Sequence, residues 1–140
     1  MTDTYFIDSD ICLDALTNRS PFSKNAIQIL YLAETKKIIA VTSSLSFSNM
    51  FYLLSKWSSV SKAYTQLSKL KTIISIASVR EQEVDASLAS KWRDFEDAIQ
   101  YHSALPCNCS AIITRNKSDY KKSEIPVLSP DEFLRFIGSN

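Results

Sequence analysis

The stretch Tyr5-Phe6-Ile7-Asp8-Ser9-Asp10-Ile11-Cys12-Leu13-Asp14 decides the fold of this 140-residue chain. Its first three residues are strand formers without polar alternation, which predicts a short strand buried on both faces. After Asp8 the apolar residues recur at helical spacing, so we predict that a helix follows at once. Asp8 therefore ends a buried strand, and open α/β sheets bind their ligands at that end of their strands.

The same alternation of short apolar runs and helical patterns continues along the chain. Four more short strands are predicted, at residues 38–41, 73–76, 111–114 and 127–128. Strands that alternate with helices are typical of a parallel sheet covered on both sides. We therefore predict an α/β fold, a three-layer α/β/α arrangement with a short central parallel sheet, formed by a single domain over residues 1–140.

Composition excludes several classes of function. A single glycine, Gly138, rules out the glycine-rich loops that bind mononucleotides and dinucleotides. Three cysteines and one histidine, without a C-x-x-C pair, argue against a zinc site and for reduced thiols. No apolar run is long enough to span a membrane and no cleavable signal is evident, so we expect a cytoplasmic protein without a membrane partner.

Four acids and one amide stand where predicted strands or helices end: Asp8, Asp94, Asp97, Asn116 and Asp119. If the first and fourth strands are neighbours, Asp8, Asn116 and Asp119 converge, with Asp97 on the intervening helix. Clustered carboxylates repel one another, and a cation relieves that repulsion. An oxygen-only ligand set suits Mg²⁺ or Mn²⁺ as the cofactor.

Basic residues follow the fourth predicted strand. Because the net charge is only +1, binding to nucleic acid must rely on a local cluster. Four basic residues lie within eight positions there: Arg115, Lys117, Lys121 and Lys122. Solvated surface lysines explain this cluster equally well.

Three motifs in order resemble the PIN domain family, which includes the VapC-type toxins of bacterial toxin–antitoxin pairs. They are Asp8-Ser9-Asp10 after a strand, Phe95-Glu96-Asp97-Ala98 at a helix start, and residues 113–120 after a late strand. The resemblance covers nearly the whole chain. It implies strand order 3-2-1-4-5 and a metal-dependent endoribonuclease, with RNA as substrate, an antitoxin protein as partner and a homodimer as assembly.

Carried over by position, the resemblance implies a metal site with catalytic acids. Asp8 is similar to the ligand after the first strand, and Asp97 to the family's third acid, with Asp94 as an auxiliary ligand. Asn116 and Asp119 fall in the loop after the fourth strand, where Asp119 would help to hold metal or water. Asp8, Asp97, Asp119 and Asn116 are thus the predicted catalytic residues.

Two positions depart from the family's pattern. Asn49 stands in the helix where a glutamate is common, and Asn116 stands where an aspartate is frequent. We keep Asn49 among the predicted metal ligands, because its carbonyl oxygen can bind a cation, although it supplies no charge and no base. For RNA we predict contacts from Arg115 and Lys117, and from Thr114 and Ser9 to the phosphate.

Two other functions remain open from the sequence. The Asp8-x-Asp10 opening also resembles haloacid-dehalogenase-type phosphatases, although the later lysine and paired acidic motif of that class are not evident. The Asn49 and Asn116 departures instead favour a catalytically weak or inactive module that binds RNA or protein.

Overall fold

The computed structural model describes residues 2–138, and a five-stranded, all-parallel sheet lies at its centre. Its strands are β1 (Thr4–Ile7), β2 (Ile39–Ser43), β3 (Ser75–Ala77), β4 (Ala111–Ile113) and β5 (Val127–Leu128). They lie in the order β3-β2-β1-β4-β5, which confirms the predicted order. Phe6 of β1 pairs with Val41 on one side and with Ile112 on the other, so β1 is the central strand.

Helices cover both faces of this sheet. Within the described residues they are α1 (Ser9–Leu16), α2 (Ser23–Glu34), α3 (Ser44–Trp57), α4 (Val60–Lys71), α5 (Glu81–Ser90), α6 (Phe95–Ala104) and α7 (Pro130–Gly138). Two short 3-10 turns, Leu105–Cys107 and Lys117–Tyr120, complete the chain. No helix in residues 2–138 combines the length and the apolar character that crossing a membrane requires.

The core divides into two clusters because successive residues of β1 point to opposite faces. Tyr5 and Ile7 pack into the larger cluster, with helices α1 to α4 and α7. Phe6 packs into the smaller one, which includes Tyr101 of α6 and Tyr120. The sheet is therefore buried on both faces, and the predicted three-layer fold is confirmed.

A buried polar network joins β2 and α3 to α6. The hydroxyls of Ser43 and Ser46 both bond the side-chain amide of Gln100, and all three residues are buried. Ser43 also caps α3, because its hydroxyl accepts the Ser46 backbone N–H over 3.0 Å. Satisfied polar groups inside a core define the relative position of the elements that carry them, so the middle of α6 is held against the end of β2.

Candidate active site

Asp8 occupies the position that the sequence predicts, directly after β1 and at the N-cap of α1. Its Oδ1 accepts the Ser9 backbone N–H over 2.7 Å. Its Oδ2 accepts the Thr114 hydroxyl over 2.8 Å and the Tyr120 hydroxyl over 3.2 Å. Burial raises the pKa of Asp8, the three hydrogen bonds oppose that rise, and the charge of Asp119 adds to it. Donors from three parts of the chain thus hold one carboxyl group in place.

Asp97 lies in the first turn of α6 and is partly buried. Asp94 is the N-cap of this helix and accepts the Asp97 backbone N–H over 3.1 Å. Burial raises the pKa of Asp97 to about 7, and the negative charges of Asp94, Asp119, Asp8 and Glu96 add to the rise. Because the charge of Asp119 raises the pKa of both Asp8 and Asp97, the three carboxyl groups lie close enough to interact electrostatically.

A cavity of about 480 Å³ opens beside these acids. Asp94, Asp97 and Asp119 line it, together with Trp92 and the basic residues Arg93, Lys121 and Lys122. A recess of this size falls within the range of small-ligand pockets. Because it lies at the carboxyl end of the parallel strands, it is in the usual ligand position for this class of fold.

The chemistry of these side chains fits a hard divalent cation. The carboxylates of Asp97 and Asp119 accept no hydrogen bond from any group in residues 2–138, so their oxygens are available. Within the same residues, however, no three His, Cys, Asp or Glu side chains already stand in a metal-binding arrangement. These oxygen donors are of the kind that Mg²⁺ or Mn²⁺ prefers. The carboxylates would have to move closer together to share one ion.

The two predicted amide ligands bond to acids outside the Asp8, Asp97 and Asp119 group. Asn49 Nδ2 donates to Glu96 Oε1 over 2.9 Å, so Asn49 reaches the start of α6 through Glu96. Asn116 Nδ2 donates to Asp10 Oδ2 over 3.1 Å. Both amides hold neighbouring acids in this structure.

Two predicted RNA contacts instead pair with acids of the protein. Arg115 bonds the buried Asp14, over 2.7 Å from its Nε, and its guanidinium lies 3.9 Å from the centre of the Phe22 ring. Lys117 Nζ lies 2.8 Å from Glu132 Oε1. Both charges are therefore balanced within the fold.

The other two predicted RNA contacts support Asp8. Thr114 is fully buried, and its hydroxyl donates to Asp8, so it positions that acid rather than a phosphate. Ser9 contributes its backbone N–H to the same carboxylate. Burial is the physical reason for correcting the role of Thr114, since a residue with no exposed surface cannot touch a polymer.

Asp10 and Tyr120 lie within the motifs that carry the family resemblance, but sequence reasoning placed neither of them, nor Asp14, among the catalytic, metal or RNA-binding residues. Asp10 Oδ2 accepts the backbone N–H of Arg115 over 3.2 Å, and its buried Oδ1 has no partner within the described residues. Burial and the charge of Asp8 raise the pKa of Asp10 to about 7, against the opposing charge of Arg115. The four-residue spacing of Asp10 and Asp14 along α1 was a usable signal, because such residues share a helix face. Tyr120 ends the third motif, but nothing in the sequence indicated that its hydroxyl bonds Asp8.

The family model of the PIN domain matches residues 4–118. The chain belongs to the PIN domain family. The predicted resemblance is thereby confirmed, and the phosphatase alternative loses its support. Asp8 and Asp97 lie within the matched residues, and Asp119 follows directly after them.

Individual relatives agree with this membership. Ribonuclease VapC1 of Aquifex aeolicus (strain VF5) is 26% identical over 137 residues, 94% of this chain and 94% of that protein. The crystal structure of VapBC2 from Rickettsia felis, bound to a DNA fragment from its promoter, is similar with a TM-score of 0.69 and 16% identity, covering 90% of this chain and 98% of that one. A toxin–antitoxin complex from Klebsiella pneumoniae gives a TM-score of 0.66 and 22% identity over 90% and 97% of the two chains. These structural likenesses show a shared PIN fold.

Proposed function

We propose that this PIN domain is a metal-dependent endoribonuclease that cleaves RNA phosphodiester bonds. The observation that carries the proposal is the convergence of Asp8, Asp97 and Asp119: the charge of Asp119 raises the pKa of both Asp8 and Asp97, and an open cavity lies beside them. Carboxyl groups brought together in this way favour a cation. The similarity to a protein named as a ribonuclease supports the choice of RNA as substrate.

Mg²⁺ or Mn²⁺, when bound, would activate a water molecule and stabilise charge on a phosphate oxygen. Asp8, Asp97 and Asp119 would hold it, with Asp94 as an auxiliary ligand. Asp8 is already oriented by Ser9, Thr114 and Tyr120, so it needs little rearrangement. Asp97 and Asp119 carry free oxygens and supply the remaining protein ligands.

Asp97 has a second property that suits hydrolysis. Its pKa of about 7 allows the carboxyl group to exchange a proton near neutral pH. A nearby metal ion favours the charged form of Asp97 and lowers this pKa, so metal binding and protonation of Asp97 oppose each other. We therefore expect cleavage to fall on acidification through the region where Asp97 becomes neutral.

We further propose that the protein is the toxin of a toxin–antitoxin pair, that it forms a homodimer and that it acts in the cytoplasm as one domain. Its similarity to structures named as toxin–antitoxin complexes supports the antitoxin partner. Large apolar side chains on α2, α3 and α4 offer exposed surface for protein contacts, among them Tyr31, Tyr52 and Tyr64. Co-purification with the product of an adjacent reading frame, and light scattering of the isolated protein, test these two assemblies.

A catalytically weak binding module is the second candidate function. The observation that favours it is that Asn49 and Asn116 contribute no charge and bond to Glu96 and Asp10 in this structure. Fewer carboxylates bind Mg²⁺ less tightly. This alternative predicts RNA binding without cleavage.

Cleavage of a mixed single-stranded RNA pool separates the two candidates. We expect cleavage with Mn²⁺ or Mg²⁺, its loss on adding a chelator, and a loss of about a hundredfold or more in Asp8→Asn and in Asp97→Asn. Asp85→Asn is the matched control, because Asp85 is an exposed acid of α5 that does not line the cavity. Retained RNA binding without cleavage by the unmodified protein would instead establish the binding module.

A further inference from the structure

The basic residues around the acidic cavity fall into two groups that the sequence does not distinguish. Arg115 and Lys117 are paired with Asp14 and Glu132. Lys121 and Lys122 are exposed and, within residues 2–138, form no ion pair and no side-chain hydrogen bond. The four-residue cluster predicted from sequence is therefore half neutralised by the fold.

A third basic residue, from another part of the chain, lies beside Lys121 and Lys122. Arg93 is exposed and forms no ion pair within the described residues, and it lines the same cavity as Lys121 and Lys122. It precedes α6, whereas the two lysines follow the 3-10 turn Lys117–Tyr120. We call these three residues the basic group.

The residues that line the cavity carry equal numbers of positive and negative formal charges as long as no metal ion is bound. A bound metal ion would make their combined charge positive. The basic group matches the formal charges of Asp94, Asp97 and Asp119, which line the same space. Binding of a divalent cation by the acids would therefore leave the lining with net positive charge. Such a surface attracts a phosphate chain, and by linkage the phosphate chain increases the affinity for the cation.

We propose that Arg93, Lys121 and Lys122 bind the backbone phosphates of single-stranded RNA on either side of the bond to be cleaved. This inference rests on the proposed ribonuclease function for its choice of RNA. A single strand suits the site because one phosphate must enter a recess of about 480 Å³ to reach Asp97 and Asp119. The bases of a duplex hold its two backbones apart and prevent one strand from bending into such a recess.

The test measures binding of a fluorescein-labelled 15-nucleotide single-stranded RNA by anisotropy, in Mn²⁺ and in an Asp8→Asn background that suppresses cleavage. The double variant Lys121→Ala/Lys122→Ala is expected to bind about tenfold more weakly. Its log–log salt slope should fall by about 1.4, because each phosphate contact on a single strand contributes about 0.7. Arg93→Ala should weaken binding in the same way, with about half that change in slope.

The matched control removes the same net charge elsewhere. Lys69→Ala/Lys71→Ala deletes two exposed lysines of α4 that do not line the cavity, and we expect its affinity and salt slope to be unchanged. The same RNA annealed to its complement should bind all proteins more weakly than the single strand. Equal losses in the two lysine pairs, no loss in either, or equally tight duplex binding would overturn the proposal.

Kinetics separate this inference from the proposed function. In protein with Asp8 intact, loss of the two cavity lysines should raise KM about tenfold and leave kcat within about twofold, because they bind the flanking phosphates and not the phosphate that reacts. If the unmodified protein cleaves no RNA with either cation, the ribonuclease proposal fails, while the anisotropy comparison still decides the role of the basic group. If cleavage occurs and KM is unaffected, the basic group alone is rejected.

Discussion

The hydroxyl of Tyr120 donates a hydrogen bond to Asp8 Oδ2 over 3.2 Å, although 112 positions separate the two residues in the chain. Tyr120 is buried, and it ends the 3-10 turn that also carries Asp119. One short segment thus supplies an acid to the cavity and a donor to the acid of β1. This contact links the loop after β4 to the central strand.

Tyr120→Phe tests this link. The variant keeps the ring but removes a donor that lowers the pKa of Asp8. That pKa should therefore rise further, and the acid limb of the pH profile of RNA cleavage should move to higher pH. The free energy of unfolding should fall by about 1 kcal/mol.

Tyr101→Phe is the matched control for Tyr120→Phe. Tyr101 is also buried and its hydroxyl also has a partner, the Glu124 backbone N–H at 3.2 Å. We expect a similar loss of stability, measured by urea unfolding, with no displacement of the pH profile. A displacement of equal size in both variants would mean that Tyr120 acts only through packing.

Arg115→Ala should be among the most destabilising single substitutions outside the apolar core. It leaves the carboxylate of Asp14 buried without its cation and removes the stacking on Phe22. Breaking a buried pair from one side costs about 3–5 kcal/mol. Chemical denaturation should show this loss, and Arg115→Ala/Asp14→Leu should recover part of it.

Lys117→Ala provides the comparison for that substitution. Its pair with Glu132 lies near the surface, where ion pairs contribute about 0–1 kcal/mol. A loss above about 2 kcal/mol in Lys117→Ala would contradict the distinction that we draw between the two pairs.

Asp97 should make stability depend on pH in an unusual direction. Because its pKa is raised to about 7 in the folded protein, the folded state holds this proton more tightly than the unfolded state. The resulting stabilisation is complete below about pH 4 and is lost as the pH rises through about 7.

Asp97→Asn removes this titration. In chelator, we expect the variant to be more stable than the unmodified protein by about 1 kcal/mol at pH 8, and the difference to shrink at pH 5. Thermal unfolding at both values measures it, with Asp85→Asn as control. A constant difference across this range would show that Asp97 ionises as it does in the unfolded chain.

Trp92 should report cation binding directly. The chain has two tryptophans, and Trp57→Phe leaves Trp92, which lines the acidic cavity, as the single indole. Paramagnetic Mn²⁺ should then quench its fluorescence in a saturable way, and less so in Trp57→Phe/Asp97→Asn. In Trp92→Phe the exposed Trp57 should show no saturable quenching.

Local patterns predicted most of the architecture. The five strands, their order and the position of Asp8 follow from short apolar runs and from the family resemblance. The start of α7 is also defined locally, because Ser129 and Glu132, three residues apart, bond each other's backbone N–H groups over 3.1 and 2.9 Å. These features depend on residues that are close in sequence, so a pattern over a few positions contains the information.

Such local patterns do not predict contacts between residues that are far apart in the sequence. Basic residues after β4 look alike in sequence, but Arg115 pairs with Asp14 and Lys117 with Glu132. Lys121 and Lys122, beside the cavity, have no acidic partner in the part of the chain that the structure describes. For the same reason, the sequence predicted a phosphate contact for Thr114, whereas its hydroxyl bonds Asp8. Its orientation toward Asp8 depends on the pairing of β1 with β4.

By itself, the sequence determined a parallel α/β fold of the PIN type and the acids that end its strands and begin α6, because strand and helix periodicity and capping are local. Only the tertiary structure decided which charges neutralise each other, which hydroxyls hold Asp8 and which basic residues have no acidic partner among residues 2–138. Those outcomes depend on burial and on distances of a few ångströms between residues about a hundred positions apart, which no local pattern encodes.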